Sequence, residues 1–158
     1  MARETILILD TDRHVTWTLK TLLEGEDYPV VLTNTVERAV KNFSEFRISG
    51  FITEYRINDL LTLDTIRKLR EICSDAYVMM MTDVEVTEDD YAEILRCGVD
   101  DFFYKPVSIT KILLHLEKGL KYRNRLIEKT HLEVKQHHPG SLDDAEAADI
   151  GQGPVCQK

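Results

Sequence analysis

Asp10, Glu54, Thr82 and Lys105 each close a short, largely apolar run: Ile6 to Leu9, Phe51 to Thr53, Tyr77 to Met81, and Phe102 to Tyr104. Two carboxylates, a hydroxyl and an ammonium are thus offered from four run ends. If the runs are strands of one parallel sheet, the four groups share the edge where open α/β sheets bind their ligands, beyond the carboxyl ends of the strands. An ion pair between the ammonium and a carboxylate is the simplest chemistry available there. Any single polar strand end is better explained by contact with water. Four on one edge, of complementary charge, are harder to explain that way.

The elements that must position these residues follow from periodicity. Ile6-Leu7-Ile8-Leu9 is the unbroken apolar pattern of a strand buried on both faces. Val15, Leu19, Leu22 and Leu23 then fall at helical spacing, with Asp12 as N-cap and Gly25 as stop. The unit repeats. Val30 to Leu32 precedes a helix carrying Val36, Ala39, Val40 and Phe43, and Phe51 to Thr53 precedes one carrying Leu63, Ile66 and Leu69. Tyr77 to Met81 precedes a helix that opens on the capping-box segment Thr87 to Asp90, turns Tyr91, Ile94 and Leu95 inward and closes at Gly98. Asp101 to Tyr104 precedes a helix with Ile109, Ile112, Leu113, Leu116 and Leu120 as its stripe. Alternating strands and helices joined by right-handed crossovers make a doubly wound α/β domain with a five-stranded parallel sheet.

Past Leu120 the apolar pattern continues through Tyr122, Leu126 and Ile127, so the last helix is expected to extend over residues 126–136 beyond a domain spanning 4–125. Residues 137–158, with Asp143-Asp144-Ala145-Glu146 and a Gly-rich end, lack apolar periodicity and are expected to form a disordered acidic tail. With 20 basic against 28 acidic residues the net charge of −8 repels phosphate backbones, which argues against nucleic-acid binding and for a protein partner. The segment after His138 shows no helix-turn-helix pattern or basic recognition helix. Cys73, Cys97 and Cys156 include no CxxC pair, which points to a reducing compartment. No stretch reaches the ~18 apolar residues of a membrane span, and the apolar run after the charged start is too short for a secretory signal. A cytoplasmic location is the expectation. Lys118, Lys121, Arg123, Arg125 and Lys129 read as a solvated basic face, and His131, His137 and His138 as solvated side chains.

With these residues in view, the chain resembles the receiver domains of response regulators in two-component systems. Ile6 to Asp12 resembles the family's acidic segment, Ile52-Thr53-Glu54-Tyr55-Arg56 its acceptor segment and Met80-Met81-Thr82 its switch segment. Gly98-Val99-Asp100-Asp101-Phe102-Phe103-Tyr104-Lys105-Pro106 is similar to its final strand. The resemblance spans about Glu4 to Tyr122. It implies a (βα)5 flavodoxin-like fold with strand order 2-1-3-4-5, an Mg2+-binding acidic pair, a phosphorylated Asp after the third strand, and Thr82 and Phe102 as switch residues facing the surface of helix 4, strand 5 and helix 5.

Several positions depart from that pattern. Glu54 stands where the phosphoacceptor Asp is expected, and its carboxylate sits one methylene, about 1.5 Å, further out. In-line attack loses much of its rate for a misplacement of about 1 Å. Thr11 stands in place of the second metal-binding acid, and a neutral hydroxyl substitutes poorly for a carboxylate on Mg2+. Asp10 and Asp12 remain as the only acids for a weak metal site, and Asp12 is needed as a cap. Asp83, in place of a small residue, would repel an incoming anion, and Ile57-Asn58 replaces a usual proline. Phe102 lacks the hydroxyl often found at its position.

The expectation is therefore a degenerate phosphorylation pocket of Asp10, Thr11, Asp12, Glu54, Thr82, Asp83 and Lys105, without catalytic residues and without a cofactor beyond weak Mg2+. Glu54 either mimics an activated state, reaching Lys105 and Thr82, or survives as a plain ion pair in a decayed pocket. Function is expected through phosphorylation-independent docking to a histidine kinase, scaffold or effector, with a homodimer through helix 4, strand 5 and helix 5 also open. The alternative is a working phosphoacceptor that uses Asp10 or Asp12 with Mg2+.

Overall fold

The computed structural model describes residues 4–137, which fall in two units divided between Arg123 and Asn124. The first holds β1 (Thr5–Leu9), α1 (Arg13–Gly25), β2 (Val30–Thr33), α2 (Val36–Glu45), β3 (Ile48–Glu54), β4 (Arg56–Ile57), β5 (Leu60–Leu61), α3 (Leu63–Ile72), β6 (Tyr77–Thr82), α4 (Glu88–Arg96) and β7 (Asp101–Tyr104). The final helix, α5 (Ile109–His137), begins in the first unit, and the described residues of the second are helical throughout. The tail expected beyond it lies outside the described residues.

Five strands form one parallel sheet in the order β2-β1-β3-β6-β7. This is the expected 2-1-3-4-5 order of a flavodoxin-like fold, with the reversal between β1 and β3. Strand alternation sorts the core into two layers. Leu7, Leu9, Phe51, Val78 and Met80 face α2, α3 and α4 through Phe43, Ile66, Leu69 and Ile94. Ile6, Ile8, Ile52, Met79 and Met81 face α1 and α5 through Leu19, Leu23, Ile112, Leu116 and Leu120. Because both faces are covered, the strands are apolar at nearly every position.

The helix starts follow their caps. Asp12 accepts from the amides of His14 and Val15, Thr35 from that of Arg38, and Thr87 and Asp90 complete a reciprocal capping box. At the end of α4, Gly98 takes φ +106°, and a Cβ there would lie 2.6 Å from Nε of Arg70. Both the backbone conformation and the close approach exclude a side chain. Gly119 interrupts the α5 pattern because the ring of Tyr77 packs against its Cα.

Three expectations need correction. Gly25 does not stop α1; it is the last helical residue, and the left-handed position is Asp27, φ +69°. Tyr91 and Leu95 are exposed, and only Ile94 of that trio is buried, because α4 is short and meets the sheet along a narrow line. Arg123 is not part of a solvated face: it is buried, with its guanidinium 3.0 Å from Asp75 and 3.5 Å from Glu4. Between β3 and α3 the chain forms an element that no sequence pattern announced. Arg56 pairs with Leu61 and Ile57 with Leu60 in an antiparallel hairpin. Its two turn residues, Asn58 and Asp59, both have positive φ, as a two-residue type I′ turn requires. Ile57 buries its side chain completely and anchors the hairpin to the core.

Candidate functional site

Strand register sets the site. Leu9 pairs with Thr53, so Asp10 and Glu54 leave β1 and β3 at the same level. Thr82 pairs with Tyr104, so Lys105 follows one residue beyond β7. The side chains of Asp10, Glu54 and Lys105 converge there. The Lys105 ammonium lies 2.8 Å from Oδ2 of Asp10 and 2.7 Å from Oε2 of Glu54. All three are largely enclosed, with side-chain exposures of 4%, 8% and 18% for Asp10, Glu54 and Lys105. The second carboxylate oxygens are also engaged: Oδ1 of Asp10 accepts from the amide of Asp12 and Oε1 of Glu54 from that of Tyr55.

Burial by itself lowers the pKa of Lys105, but the hydrogen bonds and charges of Asp10 and Glu54 together outweigh it, and the ammonium ends with a raised pKa. One ammonium is thus shared by two carboxylates in a poorly hydrated place, where a charge is tolerated only if paired.

The other expected site residues are arranged differently. Asp12 is exposed and spends Oδ1 on the α1 cap. Thr11 and Asp83 are exposed. Thr82 is fully buried, and its hydroxyl oxygen accepts from the amide of Val84, two residues along its own loop. Phe102 is half-buried and stands edge-to-face with Tyr91 on one side and Tyr104 on the other. Leu113, Leu116 and Leu120 hold α5 to the sheet.

Two neighbours of the site went unnoticed in the sequence. Thr62, fully buried, donates to the backbone oxygens of Glu54 and Tyr55, which ties the hairpin's exit to the strand that carries Glu54. The phenol oxygen of Tyr104 accepts from the amide of Val86, 3.4 Å away in the loop that follows Thr82. The alternation of β7 was the one available signal, since it puts Phe102 and Tyr104 on the same side. Cys97 is buried and its thiol pKa is pushed up by that burial, as suits a core position. No helix of the described residues is long and apolar enough to cross a membrane.

The family profile of the response regulator receiver domain matches residues 6–117. The chain belongs to that family. As a receiver domain it is a module of two-component signalling. Among curated proteins it is 26% identical to the transcriptional regulatory protein ZraR of Klebsiella oxytoca over 142 residues, covering 90% of this chain and 32% of ZraR. It is 26% identical to the nisin biosynthesis regulatory protein NisR of Lactococcus lactis, covering 80% of this chain and 55% of NisR. The chain therefore spans about a third to a half of the length of these relatives. Among solved structures, the CheY-like receiver from Methanospirillum hungatei superposes with a TM-score of 0.74 at 19% identity over 78% of this chain and 98% of that one. The beryllofluoride-activated receiver dimer of NtrC4 gives 0.69 at 22% identity, over 75% and 98%. Both show the receiver fold.

Proposed function

We infer that this receiver signals by docking to other proteins and does not depend on phosphorylation of its pocket. The observation that carries the reading is the position of Lys105, whose ammonium is already held by Glu54 and Asp10 together. Glu54 occupies the place of an acceptor carboxylate with one oxygen on the shared Lys105 ammonium and the other tied to the amide of Tyr55. An attacking carboxylate would have to give up both contacts and would still be one methylene too long.

Nor does the donor set fit Mg2+. That ion needs several oxygen ligands in near-octahedral geometry, commonly including carboxylates. Here Asp10 is engaged by Lys105 and by the amide of Asp12, Asp12 caps α1, and Thr11 offers an exposed neutral hydroxyl. The same contacts weigh against phosphorylation of Asp10 or Asp12. Of the two roles open to Glu54, mimicry of an activated state gains support from its contact with Lys105, although Thr82 turns its hydroxyl oxygen to Val84.

The docking partner is a histidine kinase, a scaffold, an effector or a second copy of the chain. Exposed Tyr91, Leu95 and Tyr104 give α4 and β7 an apolar surface for it. The decisive experiment is incubation with acetyl phosphate and Mg2+ followed by intact mass measurement. No phosphoryl adduct is expected on the native chain, whereas the Thr11→Asp, Glu54→Asp double variant should gain one. A stoichiometric adduct on the native chain would overturn the reading.

A further inference from the structure

We propose that Tyr104 carries the state of the pocket to α4, through the hydroxyl that Phe102 lacks; the inference rests on Glu54 setting that state. Tyr104 and Lys105 are neighbours at the end of β7, and each holds one side of the loop that leads from Thr82 into α4. The amide of Lys105 donates to the backbone oxygen of Thr82, 2.8 Å away. The phenol oxygen of Tyr104 takes the amide of Val86, next to the residue that caps α4. Between these two points the Thr82 hydroxyl holds Val84.

The loop is thus fixed at three places, two of them supplied by the segment whose lysine is bound to Glu54. Phe102 can transmit only by contact, because its ring meets Tyr91 and Tyr104 edge-to-face and has no polar atom to offer. Contacts of that kind tolerate sliding, whereas a hydrogen bond to one amide is lost when its acceptor moves by a fraction of its length. A shift of Lys105 between its two carboxylates would reach Tyr104 through one peptide unit. From there it would reach the entrance of α4, where Tyr91 is exposed for a partner. The half-exposed setting of Tyr104 leaves its ring free to follow such a shift.

The test uses the full chain and amide NMR. Glu54→Gln weakens the pocket pairing, and Tyr104→Phe deletes the phenol oxygen while keeping the ring against Phe102. In an otherwise native chain, Glu54→Gln should shift the Val86, Thr87 and Tyr91 amide signals. Tyr104→Phe alone should speed exchange of the Val86 amide about five-fold, the effect of one modest hydrogen bond. Placed in the Tyr104→Phe background, Glu54→Gln should move the same α4 signals by less than about half as much, the non-additivity expected of coupled residues. Equal shifts in both backgrounds would overturn the role of Tyr104 and leave the pocket reading standing. If Glu54→Gln moves no α4 signal even in the native background, the pocket does not set the state, and that reading falls together with this inference. Melting curves of both variants check that the fold is kept, and a Phe102→Leu variant that blocks the shifts while Tyr104→Phe does not would assign the relay to Phe102 instead.

Discussion

Charged groups gather at both ends of the sheet, enclosed at one and partly exposed at the other, and the two ends use them differently. At the amino ends of β6 and β7, Arg70 spreads its guanidinium over the backbone oxygens of Ser74, Ala76 and Gly98 and the carboxylate of Asp100. Asp100 in turn accepts from the amide of Val78. Nearby, the buried Tyr77 phenol donates to Asp101, and burial together with that bond raises its pKa. At the carboxyl ends a single ammonium, Lys105, serves two carboxylates. A guanidinium is a rigid planar fork whose donors can be saturated by fixed carbonyls. An ammonium is a compact charge on a flexible stem, able to move between partners. The first arrangement suits a clamp and the second a site that can change state.

If that contrast holds, the largest loss of stability should come from the clamp. Arg70→Ala should cost about 4 kcal/mol in urea unfolding, since it strips two partly buried carbonyls, of Ala76 and Gly98, of their donor. Arg70→Lys should recover less than about half of it, because an ammonium cannot reproduce the fork. A full recovery would erase the distinction between the two ends.

Next in size, Lys105→Met should cost about 3 kcal/mol near neutral pH, as expected when one partner of a buried pair is removed. Its pH dependence has a definite sign. The pairing raises the pKa of Lys105 above the ordinary 10.5. Its contribution is therefore whole below that value and fades only as pH rises through the higher folded value. The stability gap between native chain and variant should stay level from neutrality to about pH 10 and close above it. A gap that closes well below that would show that Lys105 is not the charged partner at this end.

Gly98→Ala sharpens the comparison from the backbone side. At φ +106°, with Arg70 where a Cβ would go, it should cost about 2 kcal/mol. Combined with Arg70→Ala, the cost should be less than additive, as double-variant unfolding would reveal. The smallest effect belongs to the surface. Leu95→Ser, on the exposed side of α4, should change stability by less than about 0.5 kcal/mol while altering whatever docks there.

Much of this architecture was legible in the residues because it depends on local pattern. Asp12 and Thr87 announced their helices, since a cap acts on amides two or three positions away. The apolar runs announced buried parallel strands, and Asp10, Glu54 and Lys105 announced a common edge. The hairpin at Arg56 to Leu61 was missed because two-residue strands carry no periodicity, and Asn58-Asp59 was its only trace. Arg123 was misread because its spacing matches a solvated face, while Asp75 and Glu4, which hold it, are remote in sequence. Tyr91 and Leu95 followed a helical stripe that the geometry of α4 leaves uncovered.

By itself, then, the sequence determined the doubly wound order of elements and the presence of two carboxylates, a hydroxyl and an ammonium at one edge, because strand alternation and caps are short-range effects. Only the tertiary structure decided which of those groups meet: Lys105 takes both Asp10 and Glu54, Thr82 turns to its own loop, and Tyr104 reaches Val86. Such choices depend on distances of a few ångströms between segments far apart in the chain, and those distances are set by register and packing.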